Sequence, residues 1–394
     1  MKILHIISAI SKSSGGPARS VQGLVSAQCA VGIDAWLMSL MDRGDPWVDG
    51  VLNYRCAKCS GVYGVRSAVE RVIDEFHPDL IEVHSLWQPN LHAAVRAAQL
   101  RNIPYILTPR GCLDAWSLRQ KWLKKKIALA TYQGRDLKRA LAFHTTSDEE
   151  SLQIRKLGYK QPIIQAPNGV NTPNELPTMR LDRQVRRMLF LSRMHRKKGV
   201  LDLVEAWARV KELARTRHWC CELVYTTRNE DELQYERQVK ERISSHGMTY
   251  VVPGSADGDL DEIRADFILT GAMDDADKWI AYSRADCFVL PTHTENFGIV
   301  IAEALYAGVP VITTTGAPWK VLQDEACGWW VPEGDVVALS DAILEVIEMD
   351  GRQLCLMGAR GQELIKKRYS WEGIAKTMKP AYEDLVSKLR SNKQ

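Results

Sequence analysis

CFVLPTHTENFGIVIAEALYAGVPVITTT, residues 287–315, reads as strand, loop, helix and strand in succession. Residues 287–290 are a short apolar run stopped by Pro291, and 309–313 are a β-branched run introduced by Gly308. Between them Phe297, Val300, Ile301, Ala304 and Leu305 recur at the spacing of a core-facing helix. Two carboxylates flank this stripe, Glu295 in the loop ahead of the helix and Glu303 at the stripe's edge. In an open α/β sheet such a loop lies at the carboxyl end of the strands, where ligands bind. The amides of Asn296, Phe297 and Gly298 are expected to face that ligand as the positive end of a helix dipole. Anion-seeking amides beside two carboxylates, which accept from hydroxyls, suit a molecule that is both phosphorylated and rich in hydroxyls. A nucleotide sugar fits that description.

The rest of the chain repeats the strand-and-helix rhythm, which implies mainly parallel sheets covered on both faces. Residues 3–7 form an apolar run, SKSSGGP a glycine loop, and Ala18, Val21, Leu24, Val25 and Gln28 a helical face. Gly15 and Gly16 allow close approach to a ligand, with Arg19 and Ser20 nearby for phosphate or hydroxyl contacts. Strands are expected at 35–40, 80–83, 105–108 and 142–146, helices at 64–76 and 90–100. His84 and Arg110 each follow one of these strands, which makes both candidates for the ligand crevice; a hydrogen-bonded structural histidine is the other reading of His84. Ser147 with Glu150 forms a capping-box pattern. A second series begins at 188–191, followed by a basic loop carrying Arg193, His195, Arg196, Lys197 and Lys198 ahead of a helix, an arrangement suited to a diphosphate. Strands at 222–226 and 267–270 follow, with a polar helical stretch between them. DDAD, at 274–277, reads as a helix N-terminus capped by Asp274 or Asp275 in preference to a metal-holding carboxylate pair. GWWVPEGD reads as a loop, 336–349 and 351–368 as helices, and the last helix is expected to break at Pro380.

Residues 117–140 differ in character. Arg119, Lys121, Lys124, Lys125, Lys126, Arg135, Lys138 and Arg139 stand against one acid, Asp136, with Trp122, Leu123, Ile127, Leu129 and Tyr132 interleaved. Such a helix either lies on an anionic membrane surface or completes the core from a solvated face.

With 394 residues, a formal charge of +4, 45% apolar and 25% charged residues, the chain is long enough for two or three domains of ordinary globular composition. No motif supports nucleic acid, and no run approaches the length of a membrane span. MKILHIISAI reads as a first strand and not as a signal peptide, since it contains His5 and lacks a cleavage pattern. Nine scattered cysteines point to reduced thiols. Cys56 and Cys59 form a C-x-x-C without the second half of a zinc site.

Glu295 and Glu303 as E-x7-E, SRMHRKKG at 192–199, the GGP loop and PNGV at 167–170 together resemble the retaining family 4 glycosyltransferases (glycosyl transferases group 1), a bacterial family that includes phosphatidylinositol mannosyltransferases. The resemblance runs through nearly the whole chain. It implies an α/β GT-B fold, two Rossmann-like domains with parallel sheets facing across a cleft and a C-terminal helix crossing back to the first. The corresponding spans are 1–177 on the acceptor side, 178–370 for the nucleotide sugar, and 371–394 for the returning helix. It further implies that Glu295 meets the sugar hydroxyls with the backbone of Asn296, Phe297 and Gly298, and that Glu303 accepts from the ribose. Arg193 and Lys198 would hold the diphosphate, with Gly15 and Gly16 approaching from the first domain, and the backbone at Ala272 and Met273 would meet the base. Arg110 stands where the family usually has a pocket histidine, and Thr226 and Thr227 stand where glycines are frequent.

The expected activity is metal-independent transfer of a hexose from a UDP- or GDP-sugar to a hydroxyl of a saccharide or lipid-linked saccharide in bacterial surface polysaccharide synthesis. Catalysis is assigned to Glu295, Arg110 and His84, with no cofactor, no metal and no nucleic-acid partner. The expected location is the cytoplasm, with residues 117–140 in peripheral contact with the anionic inner membrane face. A nucleotide-sugar epimerase and a non-catalytic nucleotide-sugar-binding protein are the alternatives; a dehydrogenase would call for a G-x-G-x-x-G that the first loop lacks.

Overall fold

The computed structural model describes residues 1–391 except 12–13, 42–47, 49, 58–60, 174, 178–183 and 254–263. Cys59 and part of the expected interdomain stretch therefore lie outside the described residues. Contacts divide the chain into Met1–Asn171 with Arg368–Gln394, and Thr172–Lys367.

The first unit is built on seven parallel strands, β1 (Lys2–Ile7), β2 (Asp34–Ser39), β3 (Tyr54–Cys56), β4 (Leu80–His84), β5 (Tyr105–Thr108), β6 (Ala142–Thr145) and β7 (Ile163–Gln165), in the order β3-β2-β1-β4-β5-β6-β7. Helix α1 (Gly16–Ala30) lies over one face, with Val21, Leu24 and Val25 packed on Ile3 and Ile7. α2 (Gly61–Phe76) and α3 (Pro89–Leu100) cover the other, through residues such as Val69, Ile73, Leu91 and Ala94. His84 is the last residue of β4 and not the first of a loop, so it faces inward, fully buried.

The basic stretch is not one helix. α4 (Ala115–Arg119) ends at Gln120, Lys121 takes a left-handed φ of 50°, and α5 (Trp122–Ala128) restarts, followed by a π turn at Leu129–Gln133 and α6 (Gly134–Arg139). Leu137 and Ala140 join the core, but Trp122, Leu123 and Ile127 do not and are 56–59% exposed. α7 (Asp148–Lys156) starts on Ser147, whose side chain accepts from the Glu150 amide. Glu150 does not return the bond to Ser147; its carboxylate accepts from the amides of Gly111 and Thr146 instead, at 2.7 and 2.9 Å.

The second unit carries β8 (Arg186–Arg193), α8 (Val200–Thr216), β9 (Trp219–Thr226), α9 (Glu230–Ser245), β10 (Tyr250–Val251), β11 (Phe267–Gly271), α10 (Asp275–Arg284), β12 (Cys287–Leu290), α11 (Ile299–Tyr306), β13 (Val311–Thr314), α12 (Val321–Asp324), β14 (Gly328–Val331), α13 (Val336–Glu348) and α14 (Gly351–Arg368). Its seven parallel strands run β10-β11-β9-β8-β12-β13-β14. Asp274 caps α10, as DDAD suggested. GWWV is a strand and not a loop: it pairs with β13 from Val311↔Gly328 to Thr314↔Val331, and Trp329 and Trp330 anchor their indole N–H groups on Glu345 and the Ala317 carbonyl. Phe297 and Val300 leave the expected stripe, Phe297 because it precedes the helix and Val300 because it is half-exposed; Ile301, Ala304 and Leu305 are buried.

The final helix, α15 (Trp371–Ser391), belongs to the first unit and continues through Pro380. An internal proline costs about 3 kcal/mol. Here Ile374, Ala375 and Met378 before it and Tyr382, Leu385 and Val386 after it are all buried, which offsets that cost. No described helix is long and apolar enough to cross a membrane.

Candidate active site

In the second sheet β8 and β12 are neighbours from which the chain departs to opposite sides, so the loops after them border the position where open sheets bind ligands. The loop after β8 closes as a 3-10 turn, Arg196–Lys198, capped by the His195 ring, and ends on Gly199 at φ 68°. A Cβ on Gly199 would press into the Pro291 carbonyl, so the two loops meet backbone to backbone. The Lys197 carbonyl accepts from the His293 amide at 2.8 Å and the Thr292 hydroxyl at 3.0 Å. This places Lys198, 9% exposed, against Glu295, to which its Nζ donates. The Glu295 amide donates to the Gly316 carbonyl at 2.7 Å, and the Trp319 indole donates to the Phe297 carbonyl. α11 then starts on Gly298, φ 82°, which has no side chain to cap it. One turn in, Glu303 is 3% exposed and both its oxygens are engaged: Lys278 Nζ donates at 2.7 Å and the Tyr282 hydroxyl at 3.1 Å.

Not every expected residue converges on this pair. The Arg193 side chain is 40% exposed and lies 3.4 Å from the buried Glu232. Ala272 and Met273 follow β11, two strands from β8, on the same carboxyl edge. Asn296 is half-buried beside Glu295.

In the first sheet the neighbours from which the chain diverges are β1 and β4. Gly15, φ 78°, leads from the β1 side into Gly16 and α1. Beneath that edge lies a row of buried polar side chains on adjacent strands: His5 on β1, Glu82 and His84 on β4, Thr108 on β5 and His144 on β6. Glu82 accepts from Thr108 at 2.6 Å, from His144 at 2.8 Å and, across from α15, from the Tyr382 hydroxyl at 2.6 Å. Burial would raise its pKa, yet His144, His84 and His5 hold it well below the ordinary 4.5. Burial keeps His84 well below 6.5, helped by Arg110, and lowers His5 in the same way.

Arg110 caps the row. Its Nε and Nη2 reach His84 Nδ1 at 3.3 and 3.2 Å, and Nη1 reaches Ser20 Oγ at 2.8 Å and Asn168 Oδ1 at 3.1 Å. A guanidinium only donates, so His84 Nδ1 must accept; the His84 proton then sits on Nε2, facing His5 Nδ1 at 3.0 Å, and the His5 proton on Nε2, facing Gln28 Oε1 at 2.7 Å. One cation therefore sets the tautomers of two histidines.

The description "Glycosyl transferase 4-like domain" matches residues 15–169, and "Glycosyl transferases group 1" matches residues 185–349, so both units are accounted for. The chain belongs to the group 1 glycosyltransferases. A phosphatidyl-myo-inositol mannosyltransferase of Mycobacterium leprae is 30% identical over 241 residues, 60% of this chain and 56% of the relative, so the match spans about half the length of that relative. Among solved structures, sucrose-phosphate synthase from Thermosynechococcus elongatus superimposes with a TM-score of 0.77 at 20% identity over 98% of this chain and 100% of its own. Anabaena HepE in complex with UDP and glucose gives 0.72 at 16% identity over 97% and 99%. The fold is GT-B, two parallel seven-stranded sheets with flanking helices, as in these neighbours.

The sequence alone did not single out Glu82, His5, His144, Lys278 and Tyr282 as site residues. The first three carried a signal. Each interrupts an apolar strand, KILHII, LIEVH or AFHT, of a sheet covered on both faces, where a polar side chain needs a partner on a neighbouring strand. Among the described residues His5, Glu82 and His84 are the group able to hold a metal ion, with ligand atoms within 4.8 Å of one another. Their ring protons and lone pairs are already engaged, His5 donating to Gln28, His84 accepting from Arg110 and donating to His5, and Glu82 accepting from Thr108, His144 and Tyr382, so the set is fitted to hydrogen bonds and not to an ion.

Proposed function

We propose that the chain moves a hexose from a nucleotide-diphosphate sugar to a hydroxyl of a saccharide or lipid-linked saccharide acceptor, with retention of configuration and without a divalent metal. The observation that carries this is the junction of the β8 and β12 loops, where a buried lysine is locked onto Glu295 at the head of α11 while Glu303 is held one turn deeper. Charge that grows on the leaving diphosphate meets Lys198, Arg193 and the positive end of α11, which together do the work of a metal ion. Lys198 starts on Glu295, so a bound diphosphate competes for its Nζ and frees the Glu295 carboxylate to accept from the transferred sugar. Glu303 accepts from the ribose, and the backbone at Ala272 and Met273 borders the base. Arg110 lines the acceptor side, with His84 buried behind it as the hydrogen-bond acceptor that orients its guanidinium.

The exposed apolar and basic side chains of α5 support a contact with anionic lipid headgroups during that transfer. Trp122, Leu123 and Ile127 stand out beside Lys121, Lys124 and Lys126, all exposed. The relatives named above include an enzyme whose name specifies a phosphatidylinositol acceptor.

Thermal stabilisation by UDP-, GDP- and ADP-sugars identifies the donor, since a ligand of the folded state raises its stability. The selected donor, labelled, is then incubated with and without lipid-linked saccharide. Label transfer that disappears in Lys198→Met supports the proposal; conversion of the donor sugar without acceptor would assign the chain to epimerisation instead. Proton coupling at the product's anomeric centre reads retention. Chelator-insensitive transfer is expected, and binding to vesicles containing phosphatidylglycerol should fall in Trp122→Ser/Ile127→Ser.

A further inference from the structure

The geometry points to an oxyanion, a phosphate or carboxylate, as the group that Arg110 takes at the carboxyl edge of the first sheet. The position is an unusual one for arginine. Residues 109–112 form a turn in which the Cys112 amide donates to the Pro109 carbonyl at 3.2 Å, and both central residues, Arg110 at φ 53° and Gly111 at 74°, have left-handed backbones. Turns of that kind favour Gly, Asn and Asp, and a side chain such as arginine there costs about 1 kcal/mol. The turn does not account for Arg110; what its guanidinium does must.

Among the described residues that guanidinium has no carboxylate in direct contact, although burial's lowering of its pKa is opposed from further off by Glu82 and Glu150, which raise it. Its partners are the Ser20 hydroxyl, the Asn168 amide oxygen and the His84 imidazole, all uncharged, burial having driven His84 to its neutral form. The nearest buried acids are committed elsewhere: Glu82 to Thr108, His144 and Tyr382, and Glu150 to two backbone amides. Among the described residues no carboxylate lies within ion-pair distance of Arg110, and one Nη2 hydrogen keeps no protein acceptor. Burial of the cation is unfavourable and lowers its pKa, and the charges of Glu82 and Glu150, which lie beyond contact, only partly oppose this. Three neutral side chains aim the group without neutralising it. Beside it α1 begins at Gly16 with no acidic residue in its first turn, so the helix end adds positive potential at the same corner. A planar cation oriented by neutral acceptors, half-buried and without an ion-pair partner in contact, is matched by an oxyanion, which an arginine can bind with two parallel bonds.

The inference deepens the proposed reaction and rests on it only for the origin of the anion, which is either the donor's diphosphate or an acid or phosphate group on the acceptor sugar. Binding to the full chain is measured by calorimetry for UDP, GDP, inorganic pyrophosphate, glucuronate and glucose 6-phosphate, with glucose as the neutral reference. Wild type, Arg110→Gln, Arg110→Lys and Lys198→Met are compared. At least one anionic probe should bind wild type tenfold or more tightly than Arg110→Gln, with Arg110→Lys between them and glucose indifferent to all. Loss confined to the nucleotides and pyrophosphate assigns the anion to the donor. Loss confined to glucuronate or glucose 6-phosphate, with Lys198→Met unaffected, assigns it to the acceptor. If Arg110→Gln does not fold, Arg110→Lys and Arg110→His, compared above the histidine pKa, take its place. Equal affinity of the charge-removing variant and wild type for every anion, or no anion bound by wild type, overturns the inference. Arg110-dependent anion binding in a chain that transfers no sugar would leave the inference standing and reject the proposed reaction.

Discussion

Glu295 and Glu303 are eight residues apart and held by different means, and that difference sorts their roles. Glu303 is buried between Lys278 and Tyr282, a fixed acceptor whose orientation does not depend on a ligand. Glu295 is bound to Lys198, for which a diphosphate would compete in the proposed reaction. Glu303→Gln should therefore raise the donor KM roughly 10- to 100-fold, the worth of a charged hydrogen bond, with a smaller change in kcat. It should also lower stability by about 1–3 kcal/mol, because Lys278 loses its buried counter-ion and keeps only the half-exposed Asp275 at 3.4 Å. Glu295→Gln should depress kcat as well as kcat/KM. Steady-state kinetics and urea melts on both variants check this, and indistinguishable profiles would contradict the division. The polar row in the first unit makes a separate prediction. His5 and His84 are held neutral, below 6.5, whereas the unfolded chain protonates them near that value. The stability this provides is complete above about pH 6.5 and is lost as pH falls below it, with a slope of up to about 2.7 kcal/mol per pH unit for the two groups until their folded values are reached. Glu82, held well below 4.5, adds a further loss in the same direction at lower pH. Urea midpoints that stay level between about pH 8 and 5 would show that the histidines are not buried neutral.

At the scale of elements, Trp371 at the start of α15 decides how the last helix joins the first sheet. Its indole lies against both Gly23 of α1 and Gly169 of the PNGV loop, where a Cβ would enter the ring, and it donates to Asn171 at 2.6 Å. Gly169→Ala should cost about 1–3 kcal/mol through overpacking. The same change in a Trp371→Leu background should cost much less, so a double-mutant cycle of melts gives a coupling energy; strictly additive losses would mean that the contact carries no strain. PNGV was legible as part of a family pattern, but its physical reasons were not, since Gly169 answers to a tryptophan some 200 positions away and Asn168 to Arg110. What the sequence carried well was local. Pro291 stopping β12, Asp274 heading α10 and the basic loop ahead of α8 all depend on neighbours within a few residues. What it carried poorly was decided by tertiary contact. GWWV became a strand because β13 offers an edge and two indoles find acceptors; α15 ran through Pro380 because one face of it is buried on either side; the basic stretch broke at Lys121. The convergence of Lys198 on Glu295 lies between these cases, for both loops were identifiable but only the order β9-β8-β12-β13 makes them neighbours.

On the scale of the whole molecule, one unit is continuous in sequence and the other is not. Thr172–Lys367 contains its own sheet, its own core and the Lys198, Glu295, Glu303 and Lys278 set, whereas the first unit needs Arg368–Gln394 to finish its core. α15 contributes Ile374, Met378, Tyr382, Leu385 and Val386 to the cluster built on Ile3, Ile7, Val21 and Leu24. Tyr382 also supplies a donor to Glu82, so removing α15 exposes an apolar face and leaves a buried carboxylate short of a hydrogen bond. Each apolar side chain returned to water costs about 1.5–3 kcal/mol, and several together are comparable with the 5–15 kcal/mol by which a domain is ordinarily stable. A fragment of residues 172–367 should therefore fold alone with a single cooperative melt and still be stabilised by the nucleoside diphosphate that the full chain prefers. A fragment of residues 1–171 should show no cooperative melt by circular dichroism. Adding a peptide of residues 368–391 should restore one, and the same peptide carrying Tyr382→Phe should restore it less well, by roughly the 1–3 kcal/mol of one lost bond to a buried charge. Cooperative folding of 1–171 without the peptide would show that α15 lies on a core already complete, and equal rescue by the Tyr382→Phe peptide would mean that Glu82 finds its third donor elsewhere.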